Sequence, residues 1–174
     1  MLMPPRVRKF ALTAHVISSV GWIGAVVAFL AVAIIGVTSE DDRTVRGAYL
    51  VMQPAAWAVL VPLAFASLVT GVVQGLGTTW GLFQHYWVLF KLLITVFATI
   101  ILLIYMETFR VMASIAGDST AELGIVRNAS PILHAVLALL ILLVATVLAI
   151  YKPRGLTAYG RRKQRDRRMM SAAS

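Results

Sequence analysis

His15, His85, His134 and Lys91 are the side chains of this sequence best suited to bind or react. Their setting makes them unusual. His15 opens the stretch HVISSVGWIG, an apolar run that also holds two serines and Trp22. Lys91 interrupts the run YWVLFKLLITV, four residues after Trp87. An ionisable group at membrane depth is costly and is by default a sign of a bound, paired or moving species. Imidazole ligates haem iron, and an ammonium group neutralises a haem propionate or a substrate carboxylate. Tryptophans at helical spacing from either group could flank a flat ring. His15 and His85 are therefore iron-ligand candidates. His134 is a weaker one, since a histidine near an interface is commonly an ordinary polar residue.

The elements that must hold these residues follow from composition. The chain has 174 residues, 60% of them hydrophobic and 13% charged, and its mean hydropathy is +0.86. A water-soluble domain of this size needs more polar surface, so the apolar excess must face lipid. Uncharged stretches run from Phe10 to Ser39, Gly47 to Phe90, Leu92 to Met106 and Asn128 to Tyr151. A crossing of the hydrocarbon core takes about 20 residues. The second stretch therefore holds one crossing, a turn at GLGTTWGLFQHYW and the start of the next. The expected architecture is all-α: a four-transmembrane-helix bundle over residues 1–152, with helices at roughly 10–37, 49–75, 86–108 and 130–151, and a basic tail over 153–174. The first hydrophobic stretch is too long for a signal-peptide core and is read as retained. Absence of cysteine removes disulfides, iron–sulfur clusters and thiolate metal sites.

The charges are sorted by side. Arg6, Arg8 and Lys9 precede the first helix, and eight Lys or Arg residues lie between Lys152 and Arg168. Six of the seven acids fall between Glu40 and Glu122. By the positive-inside rule both termini are expected in the cytoplasm of a bacterium, with the bundle in its cytoplasmic (inner) membrane. The tail RRKQRDRR could attract nucleic acid, but it directly follows a membrane helix, so contact with anionic lipid is the plainer reading and no nucleic-acid partner is expected.

Steps of three and four define the inner faces. The first helix aligns Ala11, His15, Ser18, Trp22, Ala25 and Phe29. Gly21 and Ala25 add a small-residue ridge that permits close approach of a neighbour or a second copy of the chain. The second helix aligns Gln53, Trp57, Leu60, Ala64, Ser67, Gly71 and Gln74. The third aligns Trp87, Lys91, Thr95 and Thr99, and reaches Met106. The fourth opens with Ser130 as N-cap and Pro131 in the first turn, with His134 just inside, in the company of Gln53, Trp57, Glu107 and Arg110. One iron cannot join His15 to His134, because helix rise sets them roughly 15 Å apart in height. His15 and His85 both lie toward the terminus side. With Lys91, Trp22 and Trp87 they form the expected cluster: His15 as iron ligand, His85 as a second, Lys91 facing a carboxylate.

HVISSVGWIG, with a tryptophan seven residues after His15, resembles the first helix of the small membrane proteins grouped with the copper-resistance protein D domain and the HemJ-type protoporphyrinogen oxidases. TTWGLFQHYWVLFKLLITV, Thr79 to Val96 in its core, resembles their turn and third helix. The overall resemblance over roughly residues 10–150 is to DUF2269-type bacterial integral membrane proteins. The HemJ-type resemblance implies a haem held with a first-helix histidine and a third-helix lysine, here His15 and Lys91, passing electrons from a tetrapyrrole to an acceptor such as a quinone. Where that pattern continues with an arginine and a histidine, this chain reads IIGVTSEDDRTV. The copper-resistance resemblance implies copper passage instead, for which Met52, Met106 and Met112 are the available soft ligands, without a paired Met or Cys motif.

Three functions therefore remain open: a b-type haem protein acting in electron transfer or tetrapyrrole oxidation, a copper or small-solute transport protein, and a cofactor-free accessory subunit. Hydrolytic catalysis is set aside, since no Ser–His–Asp spacing and no carboxylate pair occurs within the helices. GLGTTWG lacks the lysine of a phosphate-binding loop.

Overall fold

A computed structural model describes residues 3–78 and 81–172, with the side chains of residues 167 and 172 outside the description. Thr79 and Trp80 of the turn motif lie outside the described residues. Helix α1 covers Pro5–Thr38 and starts on a proline, which fits a first turn whose N–H groups lack helical acceptors. It ends where Ser39 turns extended. The next helix starts almost at once, as α2 (Asp42–Ala55). Asp41 caps it by accepting from the backbone N–H groups of Arg43 and Thr44 at 3.3 and 3.1 Å. The stretch SEDDRTVR, which falls between the helices expected at 10–37 and 49–75, is thus mostly helix.

Pro54 lies inside α2 and supplies no N–H. A π-helical turn follows at Ala56–Leu60, where Val61 N–H reaches back to Ala56. Helix α3 (Val61–Gly77) then completes the second crossing. The wider turn displaces the expected inner face by one residue. Met52 and Ala56 are buried where Gln53 and Trp57 were expected, and Trp57 is 55% exposed on the outside. From the last residue of the π turn onward the expected positions hold, with Leu60, Ala64 and Ser67 buried.

Helix α4 (Tyr86–Gly117) outruns its expected end at 108 by more than two turns. Met112, Ala113 and Ala116 of this extension are buried, and α4 packs extensively on α2. Arg46 of α2 donates to the carbonyls of Ala116 and Ala121 at 3.1 and 3.0 Å, and also to Asp118 and Ser119. A guanidinium thereby meets the partly negative carboxyl end of a helix. Helix α5 (Ser130–Tyr151) begins with Ala129 at the cap position and Ser130 inside the helix. The Asn128 side chain accepts from Ser130 N–H at 3.0 Å, so Asn128 does the capping expected of Ser130. The basic tail forms α6 (Ala158–Ala172).

In the bundle α1 packs on α3 and α5, and α4 packs on α3 and α5. The core runs through Trp22, Val26, Tyr49, Met52, Leu60, Tyr105, Phe109 and Leu142. A methyl group on Gly21 would stand 3.3 Å from Leu63, so the small-residue ridge of α1 seats α3 of the same chain. Phe10, Ile17, Val20, Phe97, Ile104 and Ile150 point outward and are exposed, the inverse of a soluble protein. Both chain ends meet the α3–α4 turn. Met3 N–H donates to Gly77, and Thr157 donates to Phe83 and Gln84.

Candidate functional site

Four of the expected site residues converge. His15, Lys91, Trp22 and Trp87 line one cavity of about 710 Å³ near the end of the bundle that carries the termini. Trp22 and Trp87 are buried, and His15 is 8% exposed. The periodicity of α1 and α4 is the local cause, since each places its polar residues on the stripe that faces the neighbouring helices.

His15 is held from both sides. Its Nδ1 lies 3.0 Å from Thr70 Oγ1 and its Nε2 lies 2.9 Å from Lys91 Nζ. The Thr70 hydroxyl donates to the Ala66 carbonyl, so Thr70 accepts from Nδ1–H. Nε2 is then the bare acceptor, and Lys91 donates to it. The ring is a neutral imidazole of fixed tautomer, directed toward the lysine. Gly71 makes the room. A methyl group there would be 3.2 Å from His15 Cε1. Further bonds fasten α1 to α3: Ser19 to Ser67 at 2.8 Å, and Gln74 donating to Ala11 O at 3.1 Å. Ser18 turns back onto the His15 carbonyl, which fixes the backbone beneath the ring.

Arg8, Lys9 and Lys152 join Lys91 on the cavity wall, and no Asp or Glu is among its described lining residues. This surplus of cations in a partly apolar hollow favours an anionic, amphipathic occupant. Sequence reading treated Arg8, Lys9 and Lys152 as sidedness signals alone. It missed Thr70 as well, although Thr70 follows Ser67 by three residues and so shares its face.

His85 stands apart from that wall. It occupies the cap position of α4 with extended backbone, bridges to Leu156 and lies 6.5 Å from Trp87 between ring centroids. It is not among the described residues that line the cavity with His15.

His134 lines a second cavity, of about 260 Å³, in the other half of the bundle. Its ring stacks on Tyr105 at 4.1 Å, and Tyr105 was not singled out from the sequence. Three of the companions expected for it point away from the core. Trp57 faces outward, and Glu107 and Arg110 pair with each other at the surface. Met52, Met106 and Met112 are packed in the core. Among the described residues no group of three or more His, Cys, Asp or Glu side chains could hold a metal ion. Trp22 is the residue common to the described linings of both cavities.

Four helices long and apolar enough to cross a membrane, packed as one bundle around these cavities, define a multi-pass integral membrane protein. No protein-family model, no curated protein and no solved structure matches the chain.

Proposed function

We propose that the terminus-end cavity binds a b-type haem and that the protein is a membrane haem protein working in electron transfer or tetrapyrrole oxidation. The observation that carries this reading is the contact of Lys91 Nζ with His15 Nε2, 2.9 Å apart on the wall of a 710 Å³ cavity whose described lining has four cations and no carboxylate. The residues fit the group. His15 offers a neutral imidazole with its proton committed to Thr70, and Nε2 would turn to a metal once the Lys91 ammonium swings off it toward a propionate. Lys91, Arg8, Lys9 and Lys152 offer charge for two propionates, and Trp22 and Trp87 offer flat apolar surface. A haem there would supply one-electron chemistry. The chain would orient it through Thr70, admit a quinone or protein partner, and keep the acidic loops away from it. The resemblance of HVISSVGWIG and of the Lys91 helix to HemJ-type proteins points the same way.

The termini are assigned to the cytoplasmic side of a bacterial inner membrane, because the cationic ends gather on one side. Helix α6 would then rest on anionic headgroups. Pairing of two copies is compatible with the outer helix faces.

A second reading is favoured by one specific observation, that both nitrogens of His15 have partners within the protein. On that reading Lys91, His15 and Thr70 fasten three helices together in an accessory subunit without a cofactor.

Absorption spectra of the purified protein, oxidised and dithionite-reduced, beside His15→Ala, separate the two. A Soret band that shifts on reduction and is lost in the variant is expected. A wild type that stays colourless after incubation with haem would end the haem reading and leave the second.

A further inference from the structure

The cavity in the other half of the bundle has chemistry unlike the first. Its wall combines α1, the second crossing, α4 and α5, and apart from Trp22, Tyr105 and His134 every lining side chain is wholly apolar. No Lys, Arg, Asp or Glu lies on its described wall. Trp22, Phe29, Phe97, Tyr105 and Phe109 give it an aromatic lining, with Met52 beside them. Phe29 tilts against Phe109 at 5.8 Å, and Tyr105 meets Phe109 edge-on at 5.0 Å, so the rings are held in place by one another.

Three polar side chains lie on the described wall, Trp22, Tyr105 and His134, and hydrogen bonding fixes the role of the histidine. His134 Nδ1 lies 2.9 Å from the Ser130 carbonyl four residues back in its own helix. A carbonyl only accepts, so the imidazole proton sits on Nδ1 and Nε2 is left as a bare acceptor. No hydrogen bond to Nε2 occurs among the described residues. The Tyr105 hydroxyl is engaged with Ser130 Oγ at 2.9 Å, which holds the phenol ring under the imidazole.

We propose that this cavity binds a small aromatic molecule carrying one hydroxyl group, a phenol, whose O–H donates to His134 Nε2 and whose ring lies among the aromatic side chains. Size agrees. An apolar cavity of about 150 Å³ already takes up benzene, and this one has about 260 Å³. Charge agrees as well: the described wall holds no charged side chain to pair with a carboxylate or an ammonium, and its bare imidazole nitrogen accepts from a neutral O–H. This binding does not rest on any group in the terminus-end cavity, with which its described lining shares only Trp22.

The test is fluorine NMR of the full chain in micelles with para-trifluoromethylphenol and with trifluoromethylbenzene, which has no donor. The expected result is a saturable bound resonance for the phenol, about one per chain, weakened about tenfold by His134→Phe, a change that keeps a ring for Tyr105 to stack on. Trifluoromethylbenzene should bind more weakly than the phenol to the wild type and change less than about twofold in His134→Phe. Ala138→Phe, which fills the cavity from α5, should remove both resonances. Absence of a saturable phenol resonance overturns the proposal, as when a lipid acyl chain holds the cavity undisplaced. Equal wild-type affinities for the two probes overturn it too, as does an unchanged phenol affinity in His134→Phe. These outcomes stand whether or not Ala138→Phe folds.

Discussion

Lys91 on α4 and His15 on α1 meet at 2.9 Å although 76 residues separate them in sequence. The contact joins two helices of the bundle through a cation and a neutral ring. Thr70, on the other side of that ring, extends the connection to α3. Three crossings are thus fastened at one height by three side chains.

Removing the far end of that connection is the mildest probe of it. Thr70→Val keeps shape and strands the His15 Nδ1 proton. Hydrogen bonds between membrane helices are worth about 0.6 kcal/mol on average and at most about 1.7. Thermal unfolding in detergent should show a loss in that range, and a bound haem should be retained less well. An unaltered midpoint together with unaltered haem retention would mean that Thr70 does not orient the ring.

Gly71→Val acts by steric pressure instead. A Cβ at that position already stands 3.2 Å from His15 Cε1, and a branched side chain closes further on the ring. Overpacking of this kind costs about 1–3 kcal/mol. Haem titration should show a larger loss than Thr70→Val gives, with helix content by circular dichroism unaltered.

Trp22→Ala should open space at the one side chain that the described linings of both cavities share. Replacement of a buried tryptophan by alanine costs about 3–5 kcal/mol, so unfolding should move to distinctly lower temperature. Trp22→Phe should restore most of the difference. Stability equal to wild type in Trp22→Ala would show that this side chain does not carry the packing its burial implies.

Arg46→Met should loosen the far end of α4. The guanidinium bonds carbonyls of Ala116, Asp118, Ser119 and Ala121, groups that would otherwise be satisfied by water. Hydrogen exchange over residues 113–121 should accelerate while exchange around His15 stays as it was. Equal exchange in variant and wild type would remove Arg46 from this role.

Acid should unfasten the start of α2. Hydrogen bonds from the Thr44 side chain and backbone, and from the Arg43 backbone, hold the Asp41 carboxyl below its usual value near pH 4. A lowered folded value means that the stabilisation is complete above the unfolded value and fades as pH falls through the folded one. Exchange at Val45, whose N–H bonds Asp41 O, should therefore accelerate as pH drops below about 4. Asp41→Asn, which caps without titrating, should flatten that profile. A wild-type profile as flat as the variant's would dismiss the carboxylate as the cause.

Sequence alone determined the four apolar crossings, the polar stripe of α1 through His15, Ser18 and Trp22, and that of α4 through Trp87, Lys91 and Thr95. Those are local properties, since hydrophobic length and a period of 3.6 residues are written in consecutive residues. Tertiary structure decided which stripes meet. Thr70 as the partner of His15, Lys91 on Nε2 and Tyr105 under His134 depend on how helices distant in sequence rotate and approach. The π turn after Pro54 altered one face by a single residue, enough to send Trp57 outward and Ala56 in. His85 was close to Lys91 in sequence yet fell outside the cavity, because it lies in the cap before α4 and is held there by the segment after α5. Rotation and approach are settled by packing across the whole bundle, which no local pattern records.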